Sequence, residues 1–145
     1  MLHRFALFLA LPATSLLVVG CNLFDQGSKL PDKPISKNSG DCFIDSQERK
    51  DGSVTLVGWA IGEPGESPKW VAVRVLQGDA IMNSFYTTEL LNRPDVATNF
   101  KDPSFVKTGF SIKIPSAEAP SGAPIQLVSA NSASNVICKQ KFAFK

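Results

Sequence analysis

From Asp41 onward, apolar and polar residues alternate in short runs broken by Gly and Pro. This is the period-two signature of half-buried β-strands. Lys69 to Gln77 (KWVAVRVLQ) shows it most cleanly, with Val71, Val73 and Val75 on one face and Trp70, Ala72, Arg74 and Leu76 on the other. Ser53 to Ile61 (SVTLVGWAI) is dense in β-formers and follows a Lys50-Asp51-Gly52 turn. Ala80 to Thr87 (AIMNSFYT) follows Gly78-Asp79. Thr108 to Ile114 sets Phe110, Ile112 and Ile114 against Ser111 and Lys113, and Pro124 to Ala130 comes next. Asn135 to Phe144 places Val136, Cys138, Phe142 and Phe144 on one face and Lys139 and Lys141 on the other, with Gln140 interrupting the inner side. With the short CFIDS run at Cys42, the pattern predicts about seven strands in an all-β, immunoglobulin-like antiparallel sandwich. A small antiparallel barrel is the alternative.

One segment breaks the alternation. Asn92 to Phe100 (NRPDVATNF) predicts a short helix or turn near residues 93–100. Pro94 fits a first helical turn, and Asp95 lies where an acid complements the helix N-terminus. Val96 and Phe100, four apart, fall on one helix face and are expected to close over the sandwich edge. Arg93 is expected to pair with Asp95 or to bond nearby carbonyls. The competing expectation makes Arg93 and Asp95 ligand contacts at a loop end.

The N-terminus follows a different pattern. Arg4 precedes an apolar run from Phe5 to Val19 in which only Thr14 and Ser15 are polar. The run has the length of a signal-peptide core and falls short of the roughly 20 residues of a membrane span. It ends Val18-Val19-Gly20-Cys21, which resembles the lipobox of bacterial lipoproteins. That resemblance implies removal of residues 1–20 and diacylation of the Cys21 sulfur, giving a protein held to the membrane by lipid. Each buried CH₂ contributes about 0.8 kcal/mol, so one acyl chain binds reversibly and two or three hold. Asn22 rather than Asp follows the cysteine, which resembles an outer-membrane address. Residues 21–40 are polar and rich in Lys, Ser, Pro and Gly, and are expected to form a flexible tether before a folded domain at 41–145.

Removal of the leader leaves 125 residues, enough for one domain, carrying 14 basic and 13 acidic side chains. The basic residues are scattered, so no nucleic-acid partner is expected. The single histidine, His3, departs with the leader. Ser-His-Asp and Cys-His nucleophile systems and histidine metal sites are thereby excluded from the mature chain. Asp41, Asp45, Asp51 and Glu89 show no spacing that singles out a catalytic pair. Asp41 to Gly52 lacks the ligand spacing of an EF-hand loop, and no Gly-rich phosphate loop is present. The reading is therefore of a protein that is not an enzyme and has no cofactor and no metal.

Assigning Cys21 to lipid leaves Cys42 and Cys138, an even pair in an exported chain and an expected disulfide. It would close a loop of about 97 residues and stabilise the fold by up to about 4.7 kcal/mol in the chain-entropy model. Trp70, Phe85 and Tyr86 are the aromatic candidates for a ligand platform, Trp70 by virtue of its position opposite the valine face.

Gly58-Trp59-Ala60, the NRPDVATNF segment and Thr108-Gly109-Phe110 follow one another in that order. The set resembles accessory β-sandwich modules of bacterial surface and glycosyltransferase-associated proteins, and covers Asp41 to Phe144. The resemblance implies a fold more than an activity. The resulting expectation is an envelope lipoprotein whose sandwich binds a protein or glycan partner. The alternative is a structural or assembly subunit of an envelope complex.

Overall fold

The computed structural model describes Ser36 and residues 39–145. The expected leader 1–20, the expected lipidation site Cys21 and most of the expected tether 21–40 lie outside the described residues. The described chain forms strands β1 (Cys42–Lys50), β2 (Ser53–Ala60), β3 (Trp70–Gln77), β4 (Ala80–Thr87) and β5 (Leu91–Asn92). Helix α1 (Pro94–Phe100) and a 3-10 turn (Pro103–Val106) follow. The chain then completes β6 (Lys107–Pro115), β7 (Pro124–Ala130), β8 (Asn135–Ile137) and β9 (Phe142–Ala143).

Two antiparallel sheets pack as a sandwich. The first has the order β1-β2-β6-β5, and the second β4-β3-β7-β8 with β9 also on β7. β2 carries β6 and β5 on its far side, while β3 and β4 join the last strands β7 to β9 in the opposite sheet, the Greek-key order of an immunoglobulin-type sandwich. The alternation explains the core. Val54, Leu56, Phe110, Ile112 and Ile114 face inward from the first sheet and meet Val71, Val73, Val75, Ile125 and Leu127 of the second. Each such buried side chain contributes about 1.5–3 kcal/mol relative to exposure. Asp51 and Gly52, both at positive φ, make the tight β1–β2 turn.

The predicted Asn135–Phe144 strand is split. β8 pairs with Val128–Ala130 and β9 with Pro124–Ile125; Cys138 N still donates to Leu127 O at 3.0 Å, and residues 139–141 leave the ladder between them. The reason lies in the disulfide and its neighbours. Cys138 bonds to Cys42 with a Cα–Cα separation of 5.8 Å, and the Gln140 side-chain oxygen accepts from the Cys42 N–H at 3.3 Å. The two cysteines are not partners in a ladder: Cys42 opens β1 and pairs with Ala60 of β2, while Cys138 lies just beyond β8. Instead Gly40 runs parallel to Cys138, donating to Ile137 O and accepting from Lys139 N, both at 2.9 Å. The chain thus pairs first with the second sheet and crosses at Asp41–Cys42 into the first. The cystine clamps that crossing, whereas in antibody domains it joins the sheets through their centres.

Candidate functional site

The three motif segments converge on one corner of the first sheet. Gly58 faces inward between Ile44 and Phe110. A Cβ there would lie 2.1 Å from Phe43 O and 3.0 Å from the Phe110 ring. Glycine therefore admits both the β1 bulge between Ile44 and Ser46 and the phenyl ring of the Gly109-Phe110 segment. Gly109 faces outward, where a Cβ would meet Arg93 Cγ at 2.9 Å and Leu91 Cβ at 3.0 Å. Its absence lets the Arg93 stem cross the sheet.

Helix α1 forms as its residues predict. Pro94 occupies the first turn, and Lys101 ends the helix in the left-handed conformation at φ 54°. Asp102 N donates to Ala97 O at 3.1 Å and Lys101 N to Thr98 O at 3.2 Å, the double closure of a Schellman end. Val96 is buried with Ile61 and Phe105. Phe100 packs edge-on against Trp59 at 5.7 Å and against Phe105 at 6.0 Å. The helix is thus the expected lid, and Trp59 lies beneath it on the outer face of the sheet.

Arg93 binds two carboxylates. Its Nε and NH2 grip Asp95 at 2.9 and 2.7 Å, and its NH1 reaches Asp45 on β1 at 2.6 Å. The side-chain hydrogen bonds from Arg93 hold the Asp95 carboxyl down at about 2, and the same Asp95 contact raises the Arg93 guanidinium above its usual value. Asp45 had no distinguishing sequence signal, because it joins Arg93 across 48 positions. The adjacent turn is anchored similarly. Asp102 accepts from Ser104 N and Gly65 N, each at 2.9 Å, and from Ser104 Oγ at 2.6 Å. These bonds, with that from Ser104 Oγ the strongest, lower the Asp102 carboxyl.

Trp70 and Tyr86 also come together, on the outer face of the second sheet, with ring centroids 6.5 Å apart and edge-on. Trp70 is only 6% exposed and packs over Ala72, Val128 and Ala130, so it offers no open ring face. Phe85 points the other way and packs against the main core. The Arg93–Asp95 pair and the Trp70–Tyr86 pair therefore stand on different sheets.

The most exposed apolar side chains near the motif corner form a feature the alternation did not single out. Cross-strand pairing aligns Phe43 with Trp59, Trp59 with Gly109, and Gly109 with Leu91. The row runs over four adjacent strands, roughly 14 Å across at normal strand spacing. Phe43 is 52% and Leu91 45% exposed. Among the described residues lie a cleft of 540 Å³ beside Val75, Met82, Asn83 and Glu118 and another of 310 Å³ between Gly40, Ile61, Phe100 and Val136. Neither is lined by Arg93, Asp95, Trp70 or Tyr86. Among the described residues, no three His, Cys, Asp or Glu side chains gather around a common metal position. Comparison with known proteins finds no matching family model, no matching curated protein and no matching solved structure.

Proposed function

We propose that this chain is a bacterial lipoprotein, anchored through lipid on Cys21, whose sandwich is a non-catalytic binding module of the cell envelope. The outer membrane is the expected address, with the domain facing the periplasm or the cell surface. The anchor rests on the Val18-Val19-Gly20-Cys21 sequence after a leader-like apolar run. The binding role rests on one observation: the exposed Phe43 and Leu91 flank the half-buried Trp59 across the outer face, beside the Arg93 ion pairs. Exposed aromatic and aliphatic side chains interleaved with an arginine are the ordinary composition of a protein interface. A protein partner fits this row better than a sugar ring, because Phe100 already covers part of Trp59 edge-on. The likeness to the GWA–RPDV–GF modules supports a module role, and the convergence of those segments gives it a physical basis. They are one packing unit that shapes the corner carrying the row.

Two measurements test this. Cys21→Ala should move the protein from the membrane fraction into the soluble periplasm or medium. Unchanged fractionation, together with no acyl mass on the native protein, would overturn the anchor. A photoreactive residue at position 43 of the full-length anchored chain should give a discrete protein adduct in cells. The same residue at position 113, on the outer face of β6, should give none. An adduct equal at both positions would refute the row as the binding surface. Glycan-array binding lost on Phe43→Lys would reassign it to a sugar.

A further inference from the structure

The two sheets have four lateral edges, and three of them are protected. β1 carries Asp45, Glu48, Arg49 and Lys50, contains a bulge, and is bonded by the C-terminal residues. Gln47 Nε2 donates to Ala143 O and Arg49 Nε to Lys145 O, each at 3.0 Å. β5 is two residues long. The β8–β9 edge is broken after Ile137 and covered by Gly40. Charges, bulges, brevity and covering segments are the devices by which sheets keep foreign strands off their edges.

β4 has little of this. It is eight residues long, pairs with β3 alone, and has no strand beyond it among the described residues. It does carry one bulge, at Met82 opposite Val75 and Leu76 near the hairpin, and Asn83–Thr87 beyond it is regular. From Ala80 to Thr88 there is no Asp, Glu, Lys, Arg or Pro. Ile81 and Met82 are 50% and 55% exposed. The ends of this neutral stretch are acidic. Asp79 precedes it and Glu89 follows it; the Glu118 carboxylate lies beside the middle of the strand, where it accepts from the Asn83 side-chain amide. A second copy added antiparallel would bring Asp79 of each chain toward Glu89 of the other, and like charges across a strand pair oppose association.

We infer that β4 is a docking edge for an extended strand of a partner protein, neutral in its centre and basic at both ends. The strand adds to the second sheet, with main-chain hydrogen bonds supplying affinity and the acidic ends of β4 selecting the flanks. This surface is separate from the Phe43 row, and the inference goes beyond the function proposed above.

The test uses the full-length chain in detergent micelles and two synthetic peptides. Each is a strand of roughly eight residues alternating Thr and Val, one with Lys pairs at both ends and the other with Glu pairs. The Lys-ended peptide should slow amide hydrogen exchange in Ala80–Thr87 roughly tenfold while leaving β1 unchanged. The Glu-ended peptide should have no effect. Met82→Lys should abolish the response while β3 and β7 keep their own protection, which shows that the fold is intact. The inference is overturned if the Lys-ended peptide protects nothing, or if both peptides act equally. It is also overturned by a concentration-dependent dimer that Met82→Lys disperses, which would assign the edge to a second copy.

Discussion

Gly58→Ala is expected to destabilise the domain by about 3 kcal/mol, at the upper end of the range for overpacked interiors. For a domain of this size the loss corresponds to a fall in Tm of roughly 10–20 °C. Alanine has the better intrinsic strand propensity, so an isolated strand would gain. Here the added methyl meets the Phe43 carbonyl at 2.1 Å and the Ile44 Cα at 3.1 Å. These are backbone atoms of the neighbouring strand and cannot rotate away. The Phe110 ring blocks the remaining direction at 3.0 Å. Either the β1 bulge opens or β2 withdraws, and both displace Phe43, the first member of the row, and Asp45 beside it. Gly62→Ala is the matched control: its Cβ would meet nothing closer than 3.7 Å, and its effect should stay near 0.5 kcal/mol. Thermal unfolding followed by circular dichroism separates the two. Equal Tm values for both variants would show that β1 shifts without cost and that the glycine is not required by packing.

Replacing both Cys42 and Cys138 by Ala should cost about 2–5 kcal/mol, because the bond closes almost the entire domain into one loop. The structure adds a local signature to that global loss. Gly40 and Lys139 hold each other by backbone bonds of 2.9 Å beside the cystine, where the chain passes from one sheet to the other. Without the bond, the amides of Gly40 and Lys139 should exchange faster relative to the core amides of β3 and β7. The ladder of β1 with β2 does not depend on the crossing and should keep its relative protection. Denaturant titration gives the global term and hydrogen exchange the local one. A variant with native stability would show that the packed crossing holds without covalent help.

Both effects bear on how much of the fold was legible in the residues. The valines of Lys69–Gln77 and the Phe110-Ile112-Ile114 set announced their common face, since a strand sends alternate side chains to opposite sides whatever it packs against. Helix α1 was equally readable. Pro94, the Arg93–Asp95 pair and the Val96–Phe100 spacing are all contacts within one turn or two. The even cysteine count pointed to the bond, although the strands that carry it proved not to be neighbours in a ladder.

Other features depended on which strands meet. Alternation put Trp70 on the face opposite the valines but did not say whether that face was covered. Packing over Ala72, Val128 and Ala130 buries it, while Phe43 stays open. Asp45 became the second partner of Arg93 only when the order β1-β2-β6-β5 brought strands from distant parts of the chain side by side. The last strand divided because Cys138 turns toward Cys42, a demand made from the other end of the domain. Local periodicity determines the side of a strand to which each residue belongs. Strand order, bulges and covered edges determine which sides meet solvent, and they arise from long-range pairing that no local pattern encodes.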